Sequence, residues 1–457
     1  MLALAVSTVM PFSPSLFDLQ APLITQIKTA SCTINQVGEG YLSSMTTQLS
    51  RHISQIVASE ERIYRSFGIS FPPQPAGLPT HLVETLARNR YANKGDGGDN
   101  DTTIPPLQDR VAVITGAAGG IGRELTKVVY SLGGTVVALD RNVTGLELLR
   151  EDLEGRRSNG KDIEDDRSRV LCLVTNHEDL SSVSSSADVI KTRFGTIDLL
   201  VCNAGLTYRD DCVPGEERMK SKHGYDLAFT VNYLSHFLLV EKLLPCLSSH
   251  PSGRIVHLTS SFHWKVDGSE ITPLDNGMNG PMAYQSDPSL MSSKHIERSY
   301  ANSKLAQIWH SRTTKKCVGS VCACPTWAGT GIAGEESRDF LLKNAFDVSG
   351  PGIASALNAM LRSDEDLGDA LNDGASIVAN SRVIEYIPFK DLWAMDWISR
   401  SGLRDIMAEV SALLLLIGQR FTFEQFIIQR SSPESYGCRD EMESLRRWSL
   451  KEVEPFL

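Results

Sequence analysis

The chain has 457 residues, of which 41% are hydrophobic and 22% charged, and its formal net charge is −10. This composition supports a packed core and excludes a globally disordered chain. The acidic balance argues against a nucleic-acid partner, which requires a basic surface. The nine cysteines form no Cys-x-x-Cys pair, so we expect neither a disulfide framework nor a metal site, and an intracellular, reducing compartment is favoured.

Residues 1–108 are typical of an N-terminal extension. Apolar residues three and four positions apart within residues 42–57 predict an amphipathic helix, and the Gly-, Asp- and Pro-rich stretch that follows predicts a flexible linker. We expect the helix to dock on the body of the protein, with a membrane-surface or partner helix as the alternative. No segment reaches the ~18–20 apolar residues of a membrane span.

From residue 109 onward, short apolar runs alternate with helical patterns. The predicted strands are Val111–Thr115, Thr135–Leu139, Val170–Val174, Asp198–Val201, Arg254–Leu258, Val318–Ala323 and a shorter one at Ala375–Ala379. This alternation indicates an α/β fold with a doubly wound, mostly parallel sheet and helices on both faces. Right-handed crossovers bring the carboxyl ends of such strands to one edge, where a ligand crevice forms. We assign this Rossmann-type domain to residues 109–395.

The tail, residues 396–457, is predicted to be a helical and apolar extension. Its most apolar run, Val410–Gly418, is about half the length of a membrane span. A buried or substrate-covering helix is favoured, and a helix that lies in a membrane interface is the alternative.

A glycine-rich turn follows the first predicted strand and opens the first helix. Gly116 permits a tight turn, Gly120 lets the backbone approach a pyrophosphate, and Gly122 allows close packing of helix on strand. The helix N-terminus then offers free N–H groups and the positive end of its dipole. This context predicts a dinucleotide site.

Asp140 ends the second predicted strand, at the distance where an acid hydrogen-bonds the adenosine ribose. Its carboxylate repels a 2′-phosphate, whereas the adjacent Arg141 can bind one. Both NAD and NADP therefore remain open as cofactors, with NAD favoured.

Tyr300 and Lys304 lie four residues apart, on one face of a predicted helix. A nearby ammonium lowers the pKa of a phenol, and a phenol so tuned can exchange a proton with a carbonyl or alcohol oxygen. Ser261 closes the fifth predicted strand, where its hydroxyl can polarise the same oxygen, and Ser260 is the alternative. His263, beside a tryptophan, is expected to be structural.

These motifs, in this order, resemble the short-chain dehydrogenase/reductase family, and in particular its retinol-dehydrogenase-like members. The resemblance implies an NAD(P)-dependent oxidoreductase in which Tyr300 is the general acid/base and Ser261 orients the reacting oxygen. It implies that Lys304 lowers the pKa of the tyrosine and bonds the nicotinamide ribose, and that Asn232 holds a water in a proton relay. The implied cofactor contacts are Thr115, Gly116, Gly120, Ile121, Gly122, Asp140, Arg141, Asn176, Asn203, Ala204, Gly205, Tyr300, Lys304, Pro325 and Thr330. Asn176 replaces the aspartate of many members, which puts the adenine contact in doubt.

Apolar side chains in the loop after the fifth strand, and after the sixth, favour a small apolar carbonyl or alcohol substrate of retinoid, steroid or lipid type. A core role for the same side chains is the alternative. A non-catalytic nucleotide-binding scaffold, or a membrane-surface interaction protein, is the alternative function. Cytoplasm and the surface of an organelle membrane both remain open as locations, as does a homodimer, the form of many family members.

Overall fold

The computed structural model describes the following residues: 80–92, 104–155, 168–207, 219–249, 252–273, 293–325, 328, 330, 332, 348, 351–379, 427–429, 431–436 and 439–457. All of them belong to one compact unit, Gly77–Asn380 together with Phe426–Leu457. The amphipathic helix and linker predicted before residue 80, and the apolar run Val410–Gly418, lie outside the described residues. The predicted domain boundaries therefore remain predictions.

The described residues form an eight-stranded sheet. Its strands are β1 (Val111–Thr115), β2 (Thr135–Asp140), β3 (Val170–Val174), β4 (Leu199–Cys202), β5 (Arg254–Leu258), β6 (Gly319–Cys324), β7 (Ile377–Ala379) and β8 (Ile427–Gln429). They are ordered β3-β2-β1-β4-β5-β6-β7-β8. The first seven strands are parallel, and β8 alone pairs antiparallel, with β7. The predicted mostly parallel sheet is confirmed, whereas β8 was not predicted as a strand.

Helices cover both faces of the sheet. They are α1 (Thr80–Ala92), α2 (Gly120–Ser131), α3 (Val143–Glu154), α4 (Leu180–Arg193), α5 (Ser235–Ser248), α6 (Ser293–Thr314), α7 (Ala354–Leu361), α8 (Asp364–Asp373) and α9 (Arg439–Val453). Shorter helical segments span Leu227–Phe229, Thr230–Leu234, Ser261–Lys265, Pro351–Ile353, Pro433–Tyr436 and Glu454–Phe456. One apolar layer joins α4, α5, α6 and α9 to the sheet, and the other joins α1, α2, α3, α7 and α8. Alternate residues of β1 supply the two layers, as expected for a strand buried on both faces.

Both ends of the described unit are tied to the body by buried polar groups. In α1, the buried guanidinium of Arg90 donates hydrogen bonds to the backbone oxygens of Met360 and Ser252. At the other end, Lys242 donates to the backbone oxygen of Phe456, and the Tyr233 hydroxyl bonds Ser449 of α9. Buried backbone oxygens need such partners, so these contacts fix where both segments dock.

Among the described residues, one continuous stretch, Leu227–Ser248, is long and apolar enough to cross a membrane by length and composition. The sequence analysis finds no such segment. In the structure, 83% of the most apolar part of this stretch is buried, because it includes α5, which packs on the sheet. Its apolar composition is explained by its place in the core.

Four histidines lie buried between the sheet and helices α5 and α6. The ring centroids of His177 and His236 are 4.8 Å apart, and those of His257 and His310 are 5.1 Å apart. Neither ring nitrogen of His257 or of His310 has a hydrogen-bond partner in the described part of the chain. Burial lowers the pKa of His257 to about 3 and that of His236 to about 4. It also lowers the pKa of His177 and of His310 well below the ordinary value.

These lowered pKa values predict loss of stability in acid. An unfolded histidine binds a proton below about pH 6.5, whereas the folded ones stay neutral far below it, so unfolding takes up protons in this window. Each histidine then contributes up to about 1.4 kcal/mol of unfolding free energy per pH unit. Stability is complete above about pH 6.5 and falls as the pH falls toward the folded pKa values.

We expect His310→Phe, which keeps an aromatic ring beside Phe237, to make this pH dependence shallower by up to one proton. Urea unfolding of the two proteins at a series of pH values between about pH 5 and pH 7.5 measures the slope. His223→Phe is the comparison, since His223 is half-buried and burial lowers its pKa less deeply, so we expect a smaller change in slope. An unchanged slope in His310→Phe would contradict the prediction.

Candidate active site

The glycine turn joins β1 to α2 and has backbone conformations that side chains rarely adopt. Gly116 has φ +65° and Gly120 has φ +51°, in the left-handed region that glycine enters readily. A Cβ atom on Gly122 would lie 2.2 Å from the backbone oxygen of Gly116 and 2.6 Å from Asn203 Nδ2. Among the described residues, nothing lies within 4 Å of a Cβ on Gly119. The turn therefore demands glycine at the three predicted positions and leaves open space beside Gly119.

Thr115 and Asn203 lock the carboxyl ends of β1 and β4 together. The Thr115 hydroxyl oxygen accepts hydrogen bonds from the backbone N–H groups of Asn203 (2.9 Å) and Ala204 (2.8 Å). In return, Asn203 Nδ2 donates to the backbone oxygen of Thr115 (2.7 Å). These predicted cofactor residues are thus already used to hold the glycine turn against the neighbouring strand end.

Helix α2 begins at this turn without a side-chain cap, because its N-cap residue is Gly119. Its first N–H groups have no partner within the helix and, with the helix dipole, suit an anion. The methyl group of Thr330 lies 3.3 Å from the Cβ position of Gly120, so this residue is placed beside the turn. Ile121 is buried in the core beneath it, and Pro325 directly follows β6.

Asp140 closes the other side of the turn. One carboxylate oxygen accepts from the backbone N–H of Ala118 (3.0 Å) and the other from that of Asn142 (2.9 Å). Arg141 beside it is exposed. Asn176, at the end of β3, uses its side-chain oxygen to accept from the backbone N–H of Glu178 (3.1 Å). These three residues lie at the carboxyl ends of adjacent strands, and two of them also stabilise local turns.

Lys304 lies on α6 with its ammonium group buried. Its Nζ donates to the backbone oxygen of Leu258 (2.8 Å) and to Gln307 Oε1 (3.1 Å). It lies 5.4 Å from the centre of the Tyr300 ring. Burial disfavours the charged form and lowers the pKa of Lys304 to about 8.

Asn232 lies in a π-helical segment, Thr230–Leu234, before α5. Its Nδ2 donates to the backbone oxygen of Leu206 (3.0 Å) and to the hydroxyl of Ser303 (2.9 Å), and its Oδ1 accepts from the Leu206 N–H (2.8 Å). Its backbone oxygen accepts from Gln307 Nε2 (2.8 Å). Asn232 thereby connects the loop after β4 to helix α6.

A hydrogen bond with the Ser260 hydroxyl acts on the Tyr300 phenol, so the alternative serine lies close to Tyr300, and the role of Ser261 in orienting the reacting oxygen stays a prediction. Ser260 keeps an extended backbone (φ −147°, ψ 154°), whereas Ser261 begins a 3-10 helix. The direction of β5 therefore continues as far as Ser260 and then turns. His263 in this helix bonds the backbone oxygen of Ser260 and accepts from the N–H of Ser432, which agrees with a structural role.

The pKa of Tyr300 also differs from expectation. Burial raises the pKa of the phenol, and the hydrogen bond with Ser260 opposes this shift. The four-residue spacing of Tyr300 and Lys304 predicts that the lysine lowers the pKa of Tyr300. In the structure the ammonium is engaged with Leu258 and Gln307, so desolvation of the phenol prevails.

Gln307 is the residue at this centre that the sequence analysis missed. Its signal was its spacing, three residues after Lys304 on the same helix face. Two features define the class of nucleotide-binding α/β proteins: a glycine turn at an open helix end, and a cluster of half-buried Tyr and Ser with buried Lys and Asn at the carboxyl edge of a parallel sheet.

Comparison with known proteins specifies this class further. Residues 110–266 match the family model described as short chain dehydrogenase. A dehydrogenase/reductase SDR family member 7B of Xenopus tropicalis is 32% identical over 155 residues, which are 34% of this chain and 47% of that protein. The dehydrogenase/reductase SDR family member FEY of Arabidopsis thaliana is 29% identical over 248 residues, which are 52% of this chain and 60% of that protein.

The chain thus spans about half the length of the curated relatives it matches. A solved short chain dehydrogenase from Salmonella enterica aligns with 59% of this chain and 96% of its own, at 19% identity and a TM-score of 0.40. The family-model match over residues 110–266 and the curated relatives show that this part of the chain is similar to short-chain dehydrogenases/reductases.

The packing of the glycine turn predicts a sharp difference between two substitutions. Gly122→Ala places a methyl group against the Gly116 backbone oxygen and is expected to lower the unfolding free energy by about 1–3 kcal/mol. Gly119→Ala meets open space, at a φ of −149° that any residue adopts, and is expected to change it by less than about 0.5 kcal/mol. Urea unfolding measures both. Equal losses in the two variants would contradict the packing argument.

Proposed function

We propose that the protein is an NAD(P)-dependent oxidoreductase that transfers a hydride between nicotinamide and a carbonyl or alcohol carbon. The observation that carries this proposal is the convergence of Tyr300, Ser260, Lys304 and Asn232 at the carboxyl edge of the sheet. A Cβ on Gly205, in the loop after β4, would lie 3.2 Å from Asn232 Oδ1 and 3.7 Å from Lys304 Nζ. The hydrogen bonds of Asn232 join the loop after β4 to α6, and a hydrogen bond of Lys304 joins α6 to β5. These elements lie far apart along the chain. A scaffold that only binds a nucleotide has no need for these hydrogen bonds.

The residues around the turn fit a dinucleotide. The open end of α2 and the space beside Gly119 suit a pyrophosphate. Each oxygen of the Asp140 carboxylate accepts one backbone hydrogen bond and has a further lone pair for a ribose hydroxyl. This carboxylate favours NAD over NADP, although the exposed Arg141 leaves NADP as the alternative. When bound, the nicotinamide supplies the hydride chemistry.

The proton chemistry is assigned to the chain's own side chains. Tyr300 is the general acid/base, and the Ser260 hydroxyl both bonds the phenol and orients the substrate oxygen. Lys304 supplies a positive charge that favours the phenolate in the reacting state. Asn232 holds the loop after β4 against this centre.

A small apolar substrate is part of the proposal. Phe262 packs edge-on against Tyr300, with ring centroids 5.7 Å apart, and gives this side of the site an apolar wall. The other apolar residues that the sequence analysis assigns to the substrate, such as Met278 and Phe340, lie outside the described residues. The names of the curated relatives specify no substrate, so retinoid, steroid and aliphatic carbonyls form the test panel.

We also propose an intracellular location. The described cysteines are all free: Cys172, Cys202, Cys246, Cys317, Cys322 and Cys324. Unpaired cysteines are typical of proteins in a reducing compartment. Contact with a membrane surface and pairing into a homodimer remain open parts of the proposal.

Removal of the phenol is expected to abolish turnover while cofactor binding persists. Tyr300→Phe loses the transferable proton, and we expect its kcat to fall by about 100- to 10,000-fold. Nicotinamide absorbance measures turnover of the carbonyl panel, and calorimetry measures the cofactor Kd. Tyr130→Phe is the matched control, because Tyr130 lies on α2 under Arg169, away from the site. Cofactor binding without turnover by wild-type protein would instead support the scaffold.

The two serines give an independent test. Because Ser260 bonds the Tyr300 phenol, we expect Ser260→Ala to lower kcat/KM by about 100-fold or more. Ser261→Ala removes a hydroxyl from the 3-10 helix and is expected to retain most of the activity. The reverse order of losses would restore Ser261 as the orienting hydroxyl and contradict the geometry described above.

A further inference from the structure

Gln307 lies one turn after Lys304 on α6, and its side chain is 1% exposed. Its amide joins two groups of the proposed active site. Gln307 Oε1 accepts a hydrogen bond from Lys304 Nζ (3.1 Å), and Nε2 donates to the backbone oxygen of Asn232 (2.8 Å). Gln307 therefore links the ammonium to the π-helical segment directly.

Chemistry fixes the orientation of this amide. A backbone oxygen can only accept and an ammonium can only donate. The NH2 group of Gln307 must therefore face Asn232, and its oxygen must face Lys304. The reversed amide would set acceptor against acceptor and donor against donor, at a high cost in a buried site.

The Asn232 backbone oxygen has a second donor. His236 Nδ1 lies 2.9 Å from it, and His236 Nε2 lies 2.8 Å from the Thr115 hydroxyl. Because the backbone oxygen can only accept, Nδ1 carries the hydrogen and Nε2 accepts from Thr115. A carbonyl oxygen has two lone pairs, so Gln307 and His236 together satisfy it.

We propose that Gln307 is a positioning residue, which holds the Lys304 ammonium in line with Tyr300 and Asn232. This inference rests on the proposed function, because it gives Lys304 a part in the reaction. Gln307 acts through Lys304 and touches no reacting atom.

The surroundings of Lys304 make its protonation a sensitive readout. Its electrostatic neighbours on β6 are Cys324 and Cys322, and Tyr300 lies on its own helix. His236 on α5 and His257 on β5 also sense its charge. In the described part of the chain, no carboxylate contributes to the shift of Lys304. A carboxylate introduced at position 307 would therefore be a new and dominant influence on its pKa.

Two variants distinguish a positioning role of Gln307 from a general effect on the packing of α6. Gln307→Met keeps an unbranched side chain of similar length but removes the acceptor, so the midpoint at which Lys304 titrates is expected to fall by about half a pH unit or more. Gln307→Glu keeps the acceptor and adds a negative charge, so the midpoint is expected to rise by about 1–3 pH units. Lysine-selective carbon-13 NMR, with the signal assigned through Lys304→Met, measures this midpoint without turnover.

Activity is measured on the same proteins. We expect Gln307→Met to lower kcat about tenfold with little change in KM, since a positioning loss acts on the transition state. In Gln307→Glu the limb of the kcat/KM pH profile that follows Lys304 is expected to move with the NMR midpoint. Ser311→Ala, which removes a buried hydroxyl one turn further along α6, bonded to Ser320, is the control and should change neither quantity.

The outcomes separate the two proposals. Active wild-type protein with variants that leave both the midpoint and kcat unchanged would overturn the role of Gln307 alone. Shifts of the same size in Ser311→Ala would likewise overturn it, because they would reflect general disturbance of α6. Wild-type protein that binds cofactor but turns over no substrate would overturn the proposed function, and with it the catalytic meaning of Gln307, even where the midpoint moves as expected.

Discussion

The arrangement of the whole site depends on the hydrogen bonds that join the end of β1 to the end of β4. These two strands are neighbours in the middle of the sheet, where the strand order changes direction, and ligands of doubly wound proteins bind at such a point. The Thr115 hydroxyl accepts from the N–H groups of Asn203 and Ala204, and Asn203 donates back to the Thr115 backbone. The glycine-rich turn is thereby held in one conformation by the adjacent strand.

The same hydroxyl begins a chain of hydrogen bonds that reaches the ammonium group. With both acceptor positions of Thr115 filled by backbone N–H groups, its hydrogen is directed to His236, which donates in turn to the Asn232 backbone oxygen. Gln307 completes the path to Lys304. Each donor and acceptor in this path is determined by the next, because every member is buried and unsatisfied polar groups are costly there. The side of the site that suits the dinucleotide and the side that handles the proton are therefore positioned by one network.

Sequence patterns within single segments predicted the features that local interactions determine, above all the bounds of the buried strands. The first, third and fifth strands have the bounds that their apolar runs indicated, since strands buried on both faces must be continuously apolar. Other features depend on tertiary contacts, which no local pattern reveals. The hydrogen bond of Ser260 with Tyr300 depends on where the chain leaves the strand direction, and the importance of Gln307 depends on an oxygen 75 residues away in the sequence. The strand Ile427–Gln429 pairs with a partner that only the folded sheet brings beside it, so no periodicity within so short a segment could reveal it.

The network also explains how a buried phenol can serve the proposed reaction. Burial acts on Tyr300 and Lys304 in the same sense, because it raises the pKa of the phenol, lowers that of the ammonium and so favours both neutral forms. A general acid/base in this environment needs compensating interactions that favour its charged form. The Ser260 hydroxyl is one, and the positive charge of Lys304 is the other, provided that the lysine keeps its proton near neutral pH. Two acceptors, the backbone oxygen of Leu258 and the amide oxygen of Gln307, favour the protonated lysine. A neutral amide suits this task, since it supports the ammonium without cancelling the charge that Tyr300 requires.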